Sequence, residues 1–270
     1  MVGSAWQPSV IPYRKMTARN YLRTSDLARA VGAHPNTVRL YAEWGLIPPV
    51  ERSPSGYRLF TQRHLDCLRL ARTIYAAQYP GRGFRALGNA IIQRAVADDW
   101  RGALEKAHDL LAAVTVELQH AIQAADLLEG WAQTMDAEQE PYGERLGIGE
   151  VSKLLGVSID VIRSWERNGL IRVPRNAHNN YRLFGKKEIE RMRIIRMLSR
   201  AGYSQMAMLR MFIELDRGNI RDLKKALDTP RPDEDIFTAA DRWLTTLHGQ
   251  EKLAVGVIEL IEKQIARMEG

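Results

Sequence analysis

Residues 35–60 read PNTVRLYAEWGLIPPVERSPSGYRLF, and residues 159–184, which lie 124 positions further on, read IDVIRSWERNGLIRVPRNAHNNYRLF. The two stretches align without a gap. Working outward, Leu22 and Gly32 recur as Leu146 and Gly156, so one register holds over 39 paired positions, ten of them identical. Arg39, Gly45-Leu46-Ile47 and Tyr57-Arg58-Leu59-Phe60 match Arg163, Gly169-Leu170-Ile171 and Tyr181-Arg182-Leu183-Phe184. Other pairs swap like for like: Asp26 with Glu150, Arg29 with Lys153, Val38 with Ile162, Tyr41 with Trp165. An ungapped internal repeat dictates one local fold used twice, and two copies are too few for a solenoid. A tandem duplication of one small domain follows.

In the first copy Thr24 or Ser25 is placed to cap a short helix over Asp26–Val31, with Leu27, Ala28 and Val31 on one face. Gly32 then supplies the left-handed turn. A second helix runs from Pro35 to Trp44 and closes at Gly45. The second copy repeats this with Glu150–Leu155, Gly156, Ile159–Asn168 and Gly169. Two short helices across a glycine turn form a helix-turn-helix. Each is followed by a polar stretch ending in a turn, Ser55-Gly56 or Asn179-Asn180, and then by Tyr-Arg-Leu-Phe. Such endings favour positive φ and a two-stranded ribbon. The expected fold is mainly α: duplicated winged helix-turn-helix domains, each followed by a long coiled-coil-forming helix.

Charge supports the same division. The 270 residues carry a net +7, distributed unevenly. Residues 22–74 hold eight Lys/Arg against four Asp/Glu, residues 146–198 eleven against five, and residues 98–140 only two against ten. Positive charge sits in the repeated modules, as binding to a polyanion requires. One cysteine, Cys67, excludes a disulfide framework and a cysteine-rich metal cluster. No apolar run reaches the roughly 18 residues of a membrane span, and the first 20 residues lack the apolar block of a signal peptide. The expectation is a cytoplasmic protein.

The second helix of such a unit enters the major groove, with residues toward its N-terminus facing base edges. Those are His34, Asn36 and Thr37, with Leu40 beyond them, and in the second copy Ser158, Asp160 and Ser164. Arg39, Arg163 and Arg167 join them on these helices. Tyr41 and Trp165 are candidates to pack a sugar or, for Tyr41, to donate to a phosphate. Tyr57-Arg58 and Tyr181-Arg182 return from the wing toward the backbone, where contacts fix register and carry salt-sensitive affinity. For the two wing tyrosines a place in the domain core is the alternative.

Each copy resembles the DNA-binding domain of the MerR family of bacterial transcription regulators. The carrying stretches are Thr37-Val38-Arg39-Leu40-Tyr41, Gly45-Leu46-Ile47 and Gly56 through Phe60, and in the second copy Val161 through Trp165, Asn168 through Ile171 and Asn180 through Phe184. Ala201-Gly202-Tyr203-Ser204 resembles the family's short turn before its next helix. Gln78–Phe84, with Pro80, Gly81 and Gly83, departs from it, and Leu40 and Ser164 stand where the family often has a second tyrosine. The resemblance covers residues 21–90 and 145–215. It implies two winged units on two half-sites of double-stranded promoter DNA, paired through antiparallel helices. It also implies action on RNA polymerase holoenzyme by distorting the promoter, at the bacterial nucleoid.

The expected divisions are a flexible basic arm at 1–20, a first winged domain at 21–95, a long coiled-coil helix and linker at 96–140, a second winged domain at 145–218, and an acidic loop with a C-terminal coiled-coil helix at 219–270. Trp100, Leu104, Ala107, Leu111, Val114, Leu118, Ala121, Ala125 and Leu128 step by four and three, the period of a coiled-coil seam. A second seam runs through Ala254, Ile258, Ile261, Ile265 and Met268, extending back to Leu247 and Leu244. Two arrangements satisfy these seams: an intramolecular pseudo-dimer, or a homodimer carrying four DNA-binding modules. A pseudo-dimer favours an asymmetric operator, since Asn36 faces Asp160 in the register.

No phosphate loop, nucleophile motif or close histidine–acid cluster is present, so the expectation is a regulator, not an enzyme, without cofactor or metal. The family's thiolate metal loop is absent. A sensed small molecule would bind among the helices, with Trp100, Trp131 and Trp243 as candidate walls, or else these tryptophans are core. The stretch 228–241, with its Asp-Glu-Asp run, reads as a solvated loop that can also border such a pocket. An architectural or recombination accessory protein is the alternative function. A third reading, an effector-binding protein with vestigial DNA modules, is opposed by intact Arg39, Arg58, Arg163 and Arg182.

Overall fold

The computed structural model describes residues 21–76, 82–134, 145–230 and 239–270. The arm at 1–20, most of the Gln78–Phe84 departure and the Asp-Glu-Asp run lie outside the described residues.

The first copy builds α1 (Thr24–Ala30), α2 (Pro35–Glu43), a ribbon of β1 (Glu51–Arg52) and β2 (Arg58–Leu59), and α3 (Gln62–Tyr75). The second builds α6 (Ile148–Leu155), α7 (Ile159–Arg167) and α8 (Lys186–Arg200). The repeat register holds down to single bonds. Leu22 bridges Phe60 as Leu146 bridges Phe184. Gly32 and Gly156 share a φ of 59°, and Gly45 (69°) and Gly169 (76°) close the second helices in the same left-handed turn. α1 and α6 begin two residues before the sequence suggests. The cap is made from inside the helix: Asp26 accepts from the Arg23 amide at 2.9 Å, and Glu150 from the Gly147 amide at 2.7 Å. Thr24 and Ser25 are therefore helical residues and not the cap.

Between and after the copies lie α4 (Arg82–Val96), α5 (Trp100–Thr134), α9 (Gln205–Asp216), α10 (Leu223–Asp228), a 3-10 turn (Ala239–Arg242) and α11 (Trp243–Glu269). At 1.5 Å per residue, the 35 residues of α5 span about 52 Å and the 27 of α11 about 40 Å. They pack along each other antiparallel. Arg101 in the first turn of α5 pairs with Glu269 at the end of α11 at 2.7 Å. At the other end α10 bridges the two, with Lys224 bonded to Asp126 and Glu129 of α5, and Asp228 accepting from the Thr245 amide of α11 at 3.1 Å.

The α5 seam is as expected but wider. Ala107, Val114, Ala121, Ala125 and Leu128 are buried, and so are Ala103, Leu110, Ala124 and Ala132, because α4 covers a second side of the helix. The α11 seam is largely as expected but wider. Leu247, Ala254, Ile258 and Ile261 are buried and Leu244 and Ile265 pack half-buried against the core, while Gln250, Val257 and Gln264 join the buried line and Met268 is 55% exposed. The two glutamines carry the buried line past the positions that an apolar period marks.

Each winged unit also rests on the helix of the other half. α11 packs against α3 of the first copy, and Arg267 donates to the buried Asp66 at 3.2 Å. α8 of the second copy packs against α5, and the Tyr203 hydroxyl donates to the Ala121 carbonyl at 3.0 Å. The buried Arg210 donates to the carbonyls of Ala226 and Asp241, tying α9 to α10 and to the 3-10 turn.

Candidate nucleic-acid interface

The two second helices, α2 and α7, are nine residues each and are started by side-chain caps. His34 Nδ1 accepts the Asn36 amide at 3.2 Å, and Ser158 Oγ accepts the Val161 amide at 3.3 Å. These two candidate base-facing residues therefore also shape the helix ends that would present them. Spacing then sorts the faces. Val38 and Tyr41, and likewise Ile162 and Trp165, point inward three residues apart and are buried. Asn36, Arg39 and Leu40, and Asp160, Arg163 and Arg167, lie exposed on the outer side, with Thr37 and Ser164 half-buried.

The outer faces carry the same pair with one change. Arg39 donates to Asn36 at 3.0 Å, and Arg163 donates to Asp160 at 3.3 Å. In the second copy a carboxylate partly neutralises the arginine that in the first copy faces only an amide.

Tyr41 and Trp165 are corrected by this geometry. Tyr41 is 7% exposed, and its ring meets those of Trp44 at 6.2 Å and Tyr75 at 6.4 Å. Trp165 is 4% exposed. An aromatic ring one turn after an inward β-branched residue falls on the core face, so these two anchor the helices from behind.

The wings differ in regularity. The first is a true ribbon, Glu51 opposite Leu59 and Arg52 opposite Arg58. The second keeps a single bridge, Arg175 to Arg182. Gly56 (φ 84°) and Asn180 (φ 59°) make the positive-φ turns that the sequence calls for. Tyr57 and Tyr181 project outward, 75% and 70% exposed, so neither belongs to the core. Arg58 and Arg182 turn back to the second helix: Arg58 lies 3.8 Å from Glu43, and Arg182 donates to Glu166 at 2.7 Å. Arg175 adds a second cation 3.7 Å from Glu166. These carboxylates, which tie wing to helix, were missed in the sequence. An acidic residue near the end of the second helix, with a wing arginine fifteen or sixteen residues on, was the available signal.

The three candidate effector tryptophans do not meet. Trp100 and Trp131 are 31 positions apart on one helix, about 46 Å. Trp100 and Trp243 begin α5 and α11, at opposite ends of the pair. No single pocket takes all three. Cys67 is buried and donates to the Ala95 carbonyl at 3.6 Å, and burial pushes its thiol up to about 12. It stays protonated at neutral pH, unsuited to redox or metal chemistry. Among the described residues no helix is long and apolar enough to cross a membrane.

Comparison with known proteins agrees with this geometry. The model of the MerR HTH family regulatory proteins matches residues 22–80 and again residues 146–211. The HTH-type transcriptional regulator CueR of Escherichia coli O6:H1 is 35% identical over 94 residues, covering 33% of this chain and 67% of that protein. CueR of Salmonella typhi is 43% identical over 51 residues, 19% of this chain and 37% of its own length. The mercuric resistance operon regulatory protein of Shigella flexneri is 33% identical over 61 residues, 23% and 42% of the two chains. No solved structure gives a significant match. Two winged units in one register, each matched by the same family model, place this chain in the MerR family of helix-turn-helix transcription regulators.

Proposed function

We propose that the chain binds promoter DNA as a pseudo-dimer, one polypeptide supplying both winged units that other regulators obtain from two subunits. The single observation that carries this reading is the antiparallel packing of α5 on α11, with each winged unit resting on the long helix of the other half. The helix pair is then the spacer between two half-site readers. Asn36, Arg39 and Thr37 read one half-site, and Asp160, Arg163 and Arg167 the other. His34 and Ser158 hold the leading ends of the two helices. Tyr57, Arg58, Tyr181 and Arg182 track the flanking backbone.

A rigid spacer holding two readers at fixed separation binds DNA most tightly when the DNA conforms to it. Bending and untwisting cost a few kcal/mol, offset by contacts on both half-sites. Between the two promoter elements recognised by RNA polymerase, such distortion changes their relative phase, and so controls transcription.

The test is a genome-wide map of DNA bound by the purified full chain, followed by footprinting. Peaks centred between the two promoter elements, with two unlike protected half-sites, are the expected result. Peaks away from promoters would replace this reading with an architectural or recombination accessory role.

A further inference from the structure

The long helices α5 and α11 each begin with a tryptophan, Trp100 and Trp243. They are finished differently. Trp243 packs on the bare backbone of Gly202, where an added Cβ would fall 2.6 Å from the indole, and its Nε1 donates to the Ala201 carbonyl. Tyr203, next in the chain, is also buried, with its hydroxyl on the Ala121 carbonyl. That end is plugged.

At the opposite end Trp100 forms one wall of an open cavity of about 530 Å³ between α3, α5 and α11. Leu70 and Leu260 supply further apolar wall, and Ala266 borders it toward solvent. The polar lining is Arg69, Lys263, Arg267 and Gln264 with one carboxylate, Asp66; Arg69 and Arg267 lie 3.7 and 3.2 Å from Asp66, and Lys263 lies 3.6 Å from Glu259 outside the cavity. Asp66 is 6% exposed. Its Oδ1 accepts from Gln62 and Arg267, but its Oδ2 is buried without a hydrogen-bond partner. A buried acceptor with no donor costs free energy until one is supplied.

We propose that this cavity binds a small aromatic organic acid bearing an N–H or O–H group. The ring lies against Trp100, Leu70 and Leu260. The acid group meets Lys263 and Arg69, whose side chains are 71% and 43% exposed at the rim. The donor serves the Asp66 carboxylate. The Asp66–Arg267 bond joins the first winged unit to the helix of the second half, so an occupant at this junction shifts the first unit against the spacer. The plugged end holds the second unit still. This regulatory consequence rests on reading the chain as a two-site DNA-binding regulator.

The probe is anilinonaphthalene sulfonate, which carries an aromatic body, an acid group and an N–H. Added to the full chain, it should bind one per chain, with energy transfer from tryptophan. Ala266→Trp fills the cavity from its solvent side and should weaken binding about tenfold or more. Lys263→Glu changes an exposed side chain whose one ion pair, to Glu259 at 3.6 Å, is itself solvent-exposed, and should weaken it about threefold. Both variants should keep the thermal midpoint. Saturating probe should change the footprint over the half-site of α2 in the parent chain and leave it unchanged in Ala266→Trp. Equal binding by both variants, or several probes per chain, would overturn the site. Probe binding with an unchanged footprint would overturn the regulatory link. If the chain binds the probe and no DNA, the regulator reading fails and the ligand class stands.

Discussion

His64 and Glu188 stand at the same place in the two copies, three residues into α3 and α8, and cap those helices with different chemistry. Glu188 accepts the Gly185 amide at 2.9 Å. His64 Nδ1 accepts the Thr61 amide at 3.0 Å, while its Nε2 reaches the Pro49 carbonyl at 3.2 Å. A carbonyl only accepts, so the ring is neutral with its proton on Nε2. Burial holds its pKa below the usual 6.5, against the raising effect of the Pro49 bond. A folded value below the unfolded one means the native state resists protonation. The stabilisation is complete above about pH 6.5 and is lost as pH falls from there through the folded value. Thermal melts between about pH 7.5 and 5 should therefore fall more steeply for the parent chain than for His64→Gln; parallel pH profiles would remove His64 from the acid response. At the same scale, Arg58→Ala and Arg182→Ala should weaken binding to every DNA sequence, about tenfold, and lower the salt slope by about one unit. Arg182→Ala should act more strongly, because it leaves the mostly buried Glu166 with a single, longer pair to Arg175. An unchanged affinity and slope in either variant would take that wing off the backbone. Arg58 and Arg182 were visible in the repeat, but Glu43 and Glu166 were not. They sit at non-equivalent positions, so no register match announces them.

At the scale of elements, glycine and aromatic punctuation made the helix-turn-helix legible, since a left-handed turn leaves few alternatives to glycine. The first α-helices, the second helices and the span of α5 all follow from such local signals. α10, six residues long, does not; its position depends on Arg210 and on Lys224 reaching across to α5. The inward turn of Tyr41 and Trp165 was legible in their spacing, three residues after the inward Val38 and Ile162, and was missed because an amphipathic ring also suits a DNA-facing side. The joint between the second winged unit and α11 is the most sharply specified element contact. Gly202 has φ 91°, and any side chain there meets the Trp243 indole. Gly202→Ala combines a strained backbone with overpacking, about 2–4 kcal/mol in all. The expected outcome is a lowered thermal midpoint with loss of protection in α11 amides by hydrogen exchange. A variant as stable as the parent would mean that the joint tolerates a shift of the indole, and that the plugged end is not rigid.

For the whole molecule, the decisive quantity is how many chains occupy one operator. A seam read from sequence shows an adhesive face without naming its partner. The sequence left two partners open for α5, and the fold pairs it with α11 of the same chain, a contact between segments more than a hundred residues apart. With that face already covered from within, the 30.7 kDa chain should sediment as a monomer and bind its operator one to one. Twice that mass at micromolar concentration would point to exchange of α11 between chains. A covalent pseudo-dimer also differs from two identical subunits in what DNA it prefers. An asparagine such as Asn36 suits adenine, whose edge offers a donor and an acceptor, while an aspartate such as Asp160 suits cytosine, whose amino group donates. Replacing the second half-site by an inverted copy of the first makes a palindrome that suits α2 twice and α7 not at all. Mismatched base pairs typically cost 1–3 kcal/mol each, so this operator should bind about tenfold or more weakly than the natural one. Asp160→Asn should recover part of that loss by giving both helices the same amide at the same place. If the palindrome binds as well as the natural operator, the two helices do not divide the reading of sequence between them. The difference between Asn36 and Asp160 would then serve only the charge on Arg39 and Arg163.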